Sequence, residues 1–169
     1  MPYQQFCMKL LKKKDSGKDN YSTGRLGINS NGYLRTPVTT FAGGTNWKQV
    51  SSVSHTAAIK TDGTLWIWGS NGDGQLGDNT NVLKRTPITT FAGGTNWKQV
   101  FCGGAHIAAI KTDGTLWIWG DYNWGQLGLS TPGTTDRLTP VTTIIGGTNW
   151  KQVSAGSLHM AAIESADFI

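Results

Sequence analysis

The segment KTDGTLWIWG runs from Lys60 to Gly69 and returns letter for letter from Lys111 to Gly120. Verbatim repetition constrains the fold more than any other feature, because a repeating chain builds one small unit and stacks it. Other segments keep the same step. FAGGTNWKQV occupies 41–50 and 91–100, and IIGGTNWKQV occupies 144–153. HTAAIK begins at His55, HIAAIK at His106 and HMAAIE at His159, giving steps of 51 and 53 residues. GRLG stands at 24–27, and GQLG at 74–77 and 125–128. RTPVTT, RTPITT and LTPVTT begin at Arg35, Arg85 and Leu138. The 169 residues therefore hold roughly three units, and both ends fall inside a repeat.

Each unit reads as a small antiparallel sheet. Asp62-Gly63 and Asp113-Gly114 separate AAIKT from TLWIW, and Asp-Gly between β-prone runs predicts a two-residue type I′ hairpin. TPVTT and WKQV supply two more strands, so the expected order is TPVTT, WKQV, HxAAIKT, TLWIWG. The 23 glycines suit an all-β chain of short strands and turns, and no helical periodicity crosses these pieces. LWIWG is apolar on both faces: Leu65 and Ile67 point one way, Trp66 and Trp68 the other. A half-wet strand would alternate with polar residues, so this one is expected to be covered on both sides. Four-stranded sheets stacked radially do that. The prediction is a set of β-propeller blades at about 36–69 and 86–120, with a partial blade at 139–169.

The pattern H-x-A-A-I-K-T-D-G-T-L-W-I-W-G-x-N-x-x-G-Q-L-G at 55–77, repeated nearly unchanged at 106–128, resembles the repeat of the regulator of chromosome condensation family. The resemblance covers about residues 19–163. It implies a propeller, since relatives are seven-bladed. Those relatives include an exchange factor for a small nuclear GTPase and secreted bacterial inhibitors of β-lactamase. Three units fall short of a ring, so the expectation is an open or incomplete propeller. That leaves a gene fragment, a truncated reading frame or a protomer completed by another chain. An open arc exposes blade faces, and self-association through them is expected.

Charge divides the chain. Lys9, Lys12, Lys13, Lys14 and Lys18 lie in residues 1–18 with Asp15 as the sole acid, while the rest carries ten positive and nine negative charges. The net +5 thus belongs to a basic N-terminal segment, expected to be a disordered, solvated tail rather than a nucleic-acid reader. No apolar run reaches the length of a membrane span, and the N-terminus lacks the order of a signal peptide, so the default location is cytoplasmic. Cys7 and Cys102 do not follow the repeat and read as free thiols in a reducing compartment.

Residues constant between units most simply build the unit, and residues that change are where a ligand is read. One histidine per unit (His55, His106, His159) points to structural roles rather than a metal site, with each ring fixing its own turn. Seven of the eight tryptophans recur and read as packing; Trp124 does not recur. It lies in GDYNWGQLG, where the earlier copy reads GSNGDGQLG. The binding candidates are therefore Tyr122, Asn123 and Trp124, with Asp73 at the equivalent tip and Phe101, whose counterparts are Ser51 and Ser154. Filling a gap between blades is the competing role for Trp124. The unequal loops at 78–85 and 129–137 are further recognition surface. DSGK at 15–18 lacks the earlier glycine of a phosphate-binding loop, and no GxSxG or HExxH occurs. The reading is a non-enzymatic, cofactor-free protein-binding or scaffold module. Alternatives are a structural segment of a viral or bacterial surface assembly and an exchange regulator of a small GTPase.

Overall fold

The structure, a computed structural model, describes residues 24–28, 40, 43–129 and 135–165. The expected basic segment at 1–18 lies outside them. Among the described residues, ten strands form three antiparallel sheets. The first holds β1 (Trp47–Ser52), β2 (His55–Lys60), β3 (Leu65–Gly69) and β4 (Lys84–Thr89) in that order. The second repeats it with β5 (Trp97–Cys102), β6 (His106–Lys111), β7 (Leu116–Gly120) and β8 (Arg137–Thr142). The third holds β9 (Trp150–Ala155) and β10 (Met160–Glu164).

LWIWG is covered on both sides as its pattern requires: Leu65, Ile67 and Trp68 are buried and Trp66 is half-buried, with the same pattern at β7. One core joins the first two sheets through Ile59, Leu65, Ile67, Trp97, Val100 and Trp119. A second joins the next pair through Ile110, Leu116, Ile118, Trp150 and Val153. The tryptophans meet edge to face, with Trp97 at 6.1 Å from both Trp117 and Trp119. The Lys111 ammonium lies over Trp97 and Trp117, at 4.7 and 4.2 Å from the ring centroids, and Lys60 does the same over Trp47 and Trp66.

The composition of each sheet differs from the sequence expectation in phase. RTPIT does not open the second sheet; β4 pairs backward with β3, placing Ile88 opposite Ile67 and Thr89 opposite Trp66. β8 does likewise on β7. WKQV therefore begins each sheet and TPxT ends it. The strand read at 36–40 lies outside the described residues except for Thr40. The physical reason is the long loop after LWIWG, which folds back on itself. Asn71 anchors it: its amide Nδ2 donates to Asp78 Oδ1 (3.0 Å) and the Thr80 carbonyl (2.8 Å), and its Oδ1 accepts from the Leu76 amide (2.9 Å). Lys84 Nζ then pairs with Asp78 at 3.1 Å, returning the chain beside β3.

The Asp-Gly hairpins also differ from the expected type I′ turn. The Gly63 amide donates to the Lys60 carbonyl (3.0 Å), and Lys60 pairs with Thr64 across a loop of Thr61, Asp62 and Gly63. Only Gly63 takes positive φ, at 81°. Asp62 Oδ1 accepts from the Thr64 amide (2.9 Å) and hydroxyl (2.6 Å), which holds Asp62 on the ordinary side of φ. This is the three-residue hairpin with a glycine bulge, and Asp113-Gly114 repeats it. The glycine has a second duty. The Trp97 amide of the next sheet donates to the Gly63 carbonyl (3.0 Å), and a Cβ at Gly63 would collide with Thr95.

Side chains fasten sheet to sheet. Gln49 spans the gap with both ends: Nε2 donates to the Val100 carbonyl (2.8 Å) and Oε1 accepts from the Val100 amide (3.0 Å). Gln99 donates to the Lys151 carbonyl of the third sheet (2.8 Å). The glycine loops reach forward too. Trp68 Nε1 donates to the Arg25 carbonyl in GRLG (2.8 Å), and Trp119 Nε1 to the Gln75 carbonyl in GQLG (3.0 Å). The loops at 24–27 and 74–77 thus each close over a tryptophan of the sheet that follows.

Candidate functional site

The strands run so that the Asp-Gly hairpins share one face and the long loops share the other. The second face carries the loops after β3 and β7, and the three short turns that lead into the histidine strands.

All three histidines lie here, and the backbone of each closes its turn: Val53, Gly103 and Gly156 donate to the carbonyls of His55, His106 and His159 at 2.8–2.9 Å. The rings add little to that. Ser54 Oγ lies 3.2 Å from His55 Nδ1, and no hydrogen bond reaches the His106 ring nitrogens among the described residues. His55 and His106 are fully buried and His159 is exposed. Burial lowers the His55 pKa to about 3, helped by His106 and Arg25 and opposed by the His106 backbone. Burial also lowers that of His106. Burial thus favours the neutral imidazole at both positions. Among the described residues, no group of three or more His, Cys, Asp or Glu side chains could hold a metal.

The loop after β7 carries three of the sequence-predicted binding residues and separates them. Tyr122 is buried, 1% exposed; its hydroxyl donates to the Leu129 carbonyl and its ring packs in the second core. It takes the place of Asn71 as the anchor of its loop, so its difference from Asn71 serves the scaffold, and Tyr122 is withdrawn from the ligand-contacting set. Asn123 is exposed, its amides donating to Asp121 Oδ1 at 2.9 and 2.8 Å. Trp124 stands at the tip, 75% exposed. Its amide donates to Gln126 Oε1 (2.9 Å), as the Asp73 amide donates to Gln75 Oε1 (2.9 Å), so the two tips have one geometry.

Asp73 is half-buried because its loop lies against the second sheet. Burial raises its pKa, with Asp136 and Asp121 adding to the rise and Gln75 opposing it. The structure thus brings Asp73 toward the base of the next loop. Phe101 is half-buried and packs against the core between the second and third sheets, which accounts for its difference from Ser51. Ser51 lies one interface earlier, where its Oγ accepts from the Cys102 amide at 3.0 Å. Cys102 is free and buried, its Sγ donating to the Ser51 carbonyl (3.2 Å), and burial pushes its thiol up to about 12.

The sequence reading missed Asp121 and Asp136, which frame the loop base; the unequal length of the 129–137 loop was the available signal. It also missed Val53, Val82 and Leu158, each more than half exposed on this face. They sit at turn positions that repetition alone does not mark.

A family model described as the regulator of chromosome condensation (RCC1) repeat matches residues 62–110 and 113–163, more than half of the chain, and a second model of that description matches 97–126. The chain is similar to yeast RCC1 (Prp20) in its crystal structure bound to Kap60, with a TM-score of 0.71 and 22% identity, over 86% of this chain and 36% of that one. It is similar to Prp20p from Saccharomyces cerevisiae in a structure described with its binding properties to Gsp1p and histones: TM-score 0.70, 18% identity, 87% of this chain and 39% of that one. Human WBSCR16 matches at a TM-score of 0.53 and 19% identity, over 86% of this chain and 52% of that one. The chain spans between 36% and 52% of the length of these proteins, and identities this low carry the fold alone.

Proposed function

The chain belongs to the regulator of chromosome condensation repeat family, and from that premise we propose that it is a non-enzymatic protein-binding module whose long-loop face makes the contact. The observation that carries the reading is Trp124. A large aromatic residue, 75% exposed, is held at the tip of a loop whose base is fixed on both sides. Rigid exposed aromatics are favoured anchors of protein interfaces, because little conformational entropy is lost when they are covered. Exposed Asn123 lies beside it, and Val82 supplies further apolar surface on this face. The solved structure of yeast RCC1 with Kap60, and the binding of Gsp1p and histones by Prp20p, support a protein as partner for this fold.

Self-association belongs to the same reading. The third sheet and its turn leave Ile163 and Leu158 more than half exposed, and a second copy is one way of covering them. Light scattering across a concentration series tests this: a mass fixed at that of one chain would refute self-association.

The loop-face reading is tested by placing a photo-crosslinking phenylalanine derivative at position 124, and separately at Thr112 on the opposite face. Discrete protein adducts from 124 and none from 112 are expected in an extract of the source cells. Equal or absent labelling from both positions overturns the assignment.

A further inference from the structure

Three Gly-x-Leu-Gly loops share one backbone form. Gly24 and Gly27 have φ of 67° and 62°, Gly74 and Gly77 of 71° and 61°, Gly125 and Gly128 of 74° and 59°. In each, the second glycine's amide donates to the first glycine's carbonyl, at 2.9, 2.9 and 3.0 Å. Two of the loops hold an indole. A Cβ built at Gly27 would come within 2.8 Å of Trp68 Nε1, and one at Gly77 within 2.8 Å of Trp119 Nε1. Those indoles donate to the carbonyls of Arg25 and Gln75, the residue after the first glycine. Glycine at the fourth position is therefore an opening for a tryptophan ring, and the adjacent carbonyl is its acceptor. The third loop offers the same opening at Gly128 and the same acceptor at Gln126, and no described residue lies within 4 Å of a Cβ at Gly125 or Gly128.

The sheet beneath this third loop is prepared to match. β2 and β6 are each paired on both sides, their outer neighbours being the LWIWG strands β3 and β7. β10 carries the same Ala-Ala-Ile run and, among the described residues, pairs only with β9. Ile59 and Ile110 are fully buried under their neighbours, whereas Ile163 at the same position is 57% exposed.

We propose that the β10 edge and the loop at 125–128 form an acceptor site for an extended Leu-Trp-Ile-Trp-Gly segment. The segment adds as an antiparallel strand and sends its second indole under Gly128 to the Gln126 carbonyl. The register follows from the two occupied cases. Trp68 lies opposite Thr56 and Trp119 opposite Ile107, so the second tryptophan of the guest sits opposite Met160 and the first opposite Ala162. Main-chain pairing supplies part of the affinity and the indole opening supplies the selection. The site uses a sheet edge rather than the loop tips, so its failure leaves the loop-face reading intact, and failure of that reading leaves this one intact.

The test uses the full chain and a synthetic TDGTLWIWGD peptide bearing added lysines for solubility, followed by titration calorimetry. Saturable one-to-one binding is expected. Replacing the second tryptophan of the peptide with alanine is expected to weaken binding at least tenfold. Gly128→Ala is expected to weaken it comparably while leaving the far-UV circular dichroism unchanged. If the chain is oligomeric at the outset, the peptide is expected to disperse it, because a second copy then holds the same edge. No binding, equal binding of the alanine peptide, or an oligomer indifferent to the peptide overturns the proposal, and none of these outcomes depends on the variant folding.

Discussion

Mild acid is expected to destabilise this fold through His55. The ring is fully buried, between Ser54 and the backbone leading to His106, and its pKa falls from 6.5 to about 3. Above pH 6.5 the imidazole is neutral in both folded and unfolded chains and contributes nothing to pH dependence. Below it the unfolded chain takes up a proton that the folded chain refuses, so stability falls as pH falls. The 3.5-unit gap at 1.36 kcal/mol per unit corresponds to a loss of about 5 kcal/mol once pH drops below both values, and about 2 kcal/mol is already lost at pH 5. His106 shifts in the same direction and adds to the loss. Asp62 and Asp113, lowered by the hydroxyls and amides of Thr64 and Thr115, lose their contribution only near and below the ordinary carboxylate pKa of 3.8. Asp73, whose pKa is raised, acts in the opposite sense as pH falls, so the difference between wild type and a His55 variant isolates the histidine. The assay is urea unfolding followed by tryptophan fluorescence at pH 7.5, 6 and 5, on the wild type and on His55→Gln. The glutamine variant is expected to lose about 2 kcal/mol less across the window, whatever its stability at neutral pH. Parallel losses in the two proteins would refute the buried-histidine argument.

Four further outcomes are expected. Trp119→Phe removes the indole donor to the Gln75 carbonyl inside the sheet interface and should cost about 1–3 kcal/mol by thermal or urea unfolding. Gln49→Ala leaves the Val100 amide and carbonyl without their bridge and should cost a similar amount, about 1–3 kcal/mol, broadening the unfolding transition as the first two sheets uncouple. Tyr122→Ala should cost about 3–5 kcal/mol, as truncation of a buried aromatic does, whereas Trp124→Ala at the exposed tip should change stability by less than about 0.5 kcal/mol. In a Cys7→Ser background, Cys102 should remain unreactive toward a disulfide reagent in the folded chain and react at once in denaturant, since burial raises its thiol to about 12.

How much was legible in the sequence depended on what repetition can encode. The period gave the size of the unit, and the two-faced LWIWG gave its burial; both follow from side-chain patterns inside one strand. Phase was not legible. A repeating string reads the same from any starting point, and whether RTPIT opens one sheet or closes another depends on the loop at 70–83. The family repeat shares that ambiguity: its match at 62–110 takes β3 and β4 from one sheet and β5 and β6 from the next. The hairpin type turned on Asp62 accepting from Thr64, a local hydrogen bond that Asp-Gly alone does not specify. At the candidate site, comparing copies found the loop that differs but could not sort its members. Tyr122 replaces an asparagine that was itself an anchor, so its novelty is absorbed by the core. Trp124 replaces an aspartate at a tip, so its novelty faces outward.

Amide hydrogen exchange tests the central claim of two four-stranded sheets beside a third whose β10 edge has no partner strand among the described residues. The strands to compare are β6 and β10, which carry nearly the same sequence. The account predicts strong protection for Ile107–Lys111, which are paired on both sides, and fast exchange for at least every second amide of Met160–Glu164, those turned toward the unpaired edge. Equal protection of the two strands would mean that β10 is already covered, and would contradict an edge left unpaired beside β10.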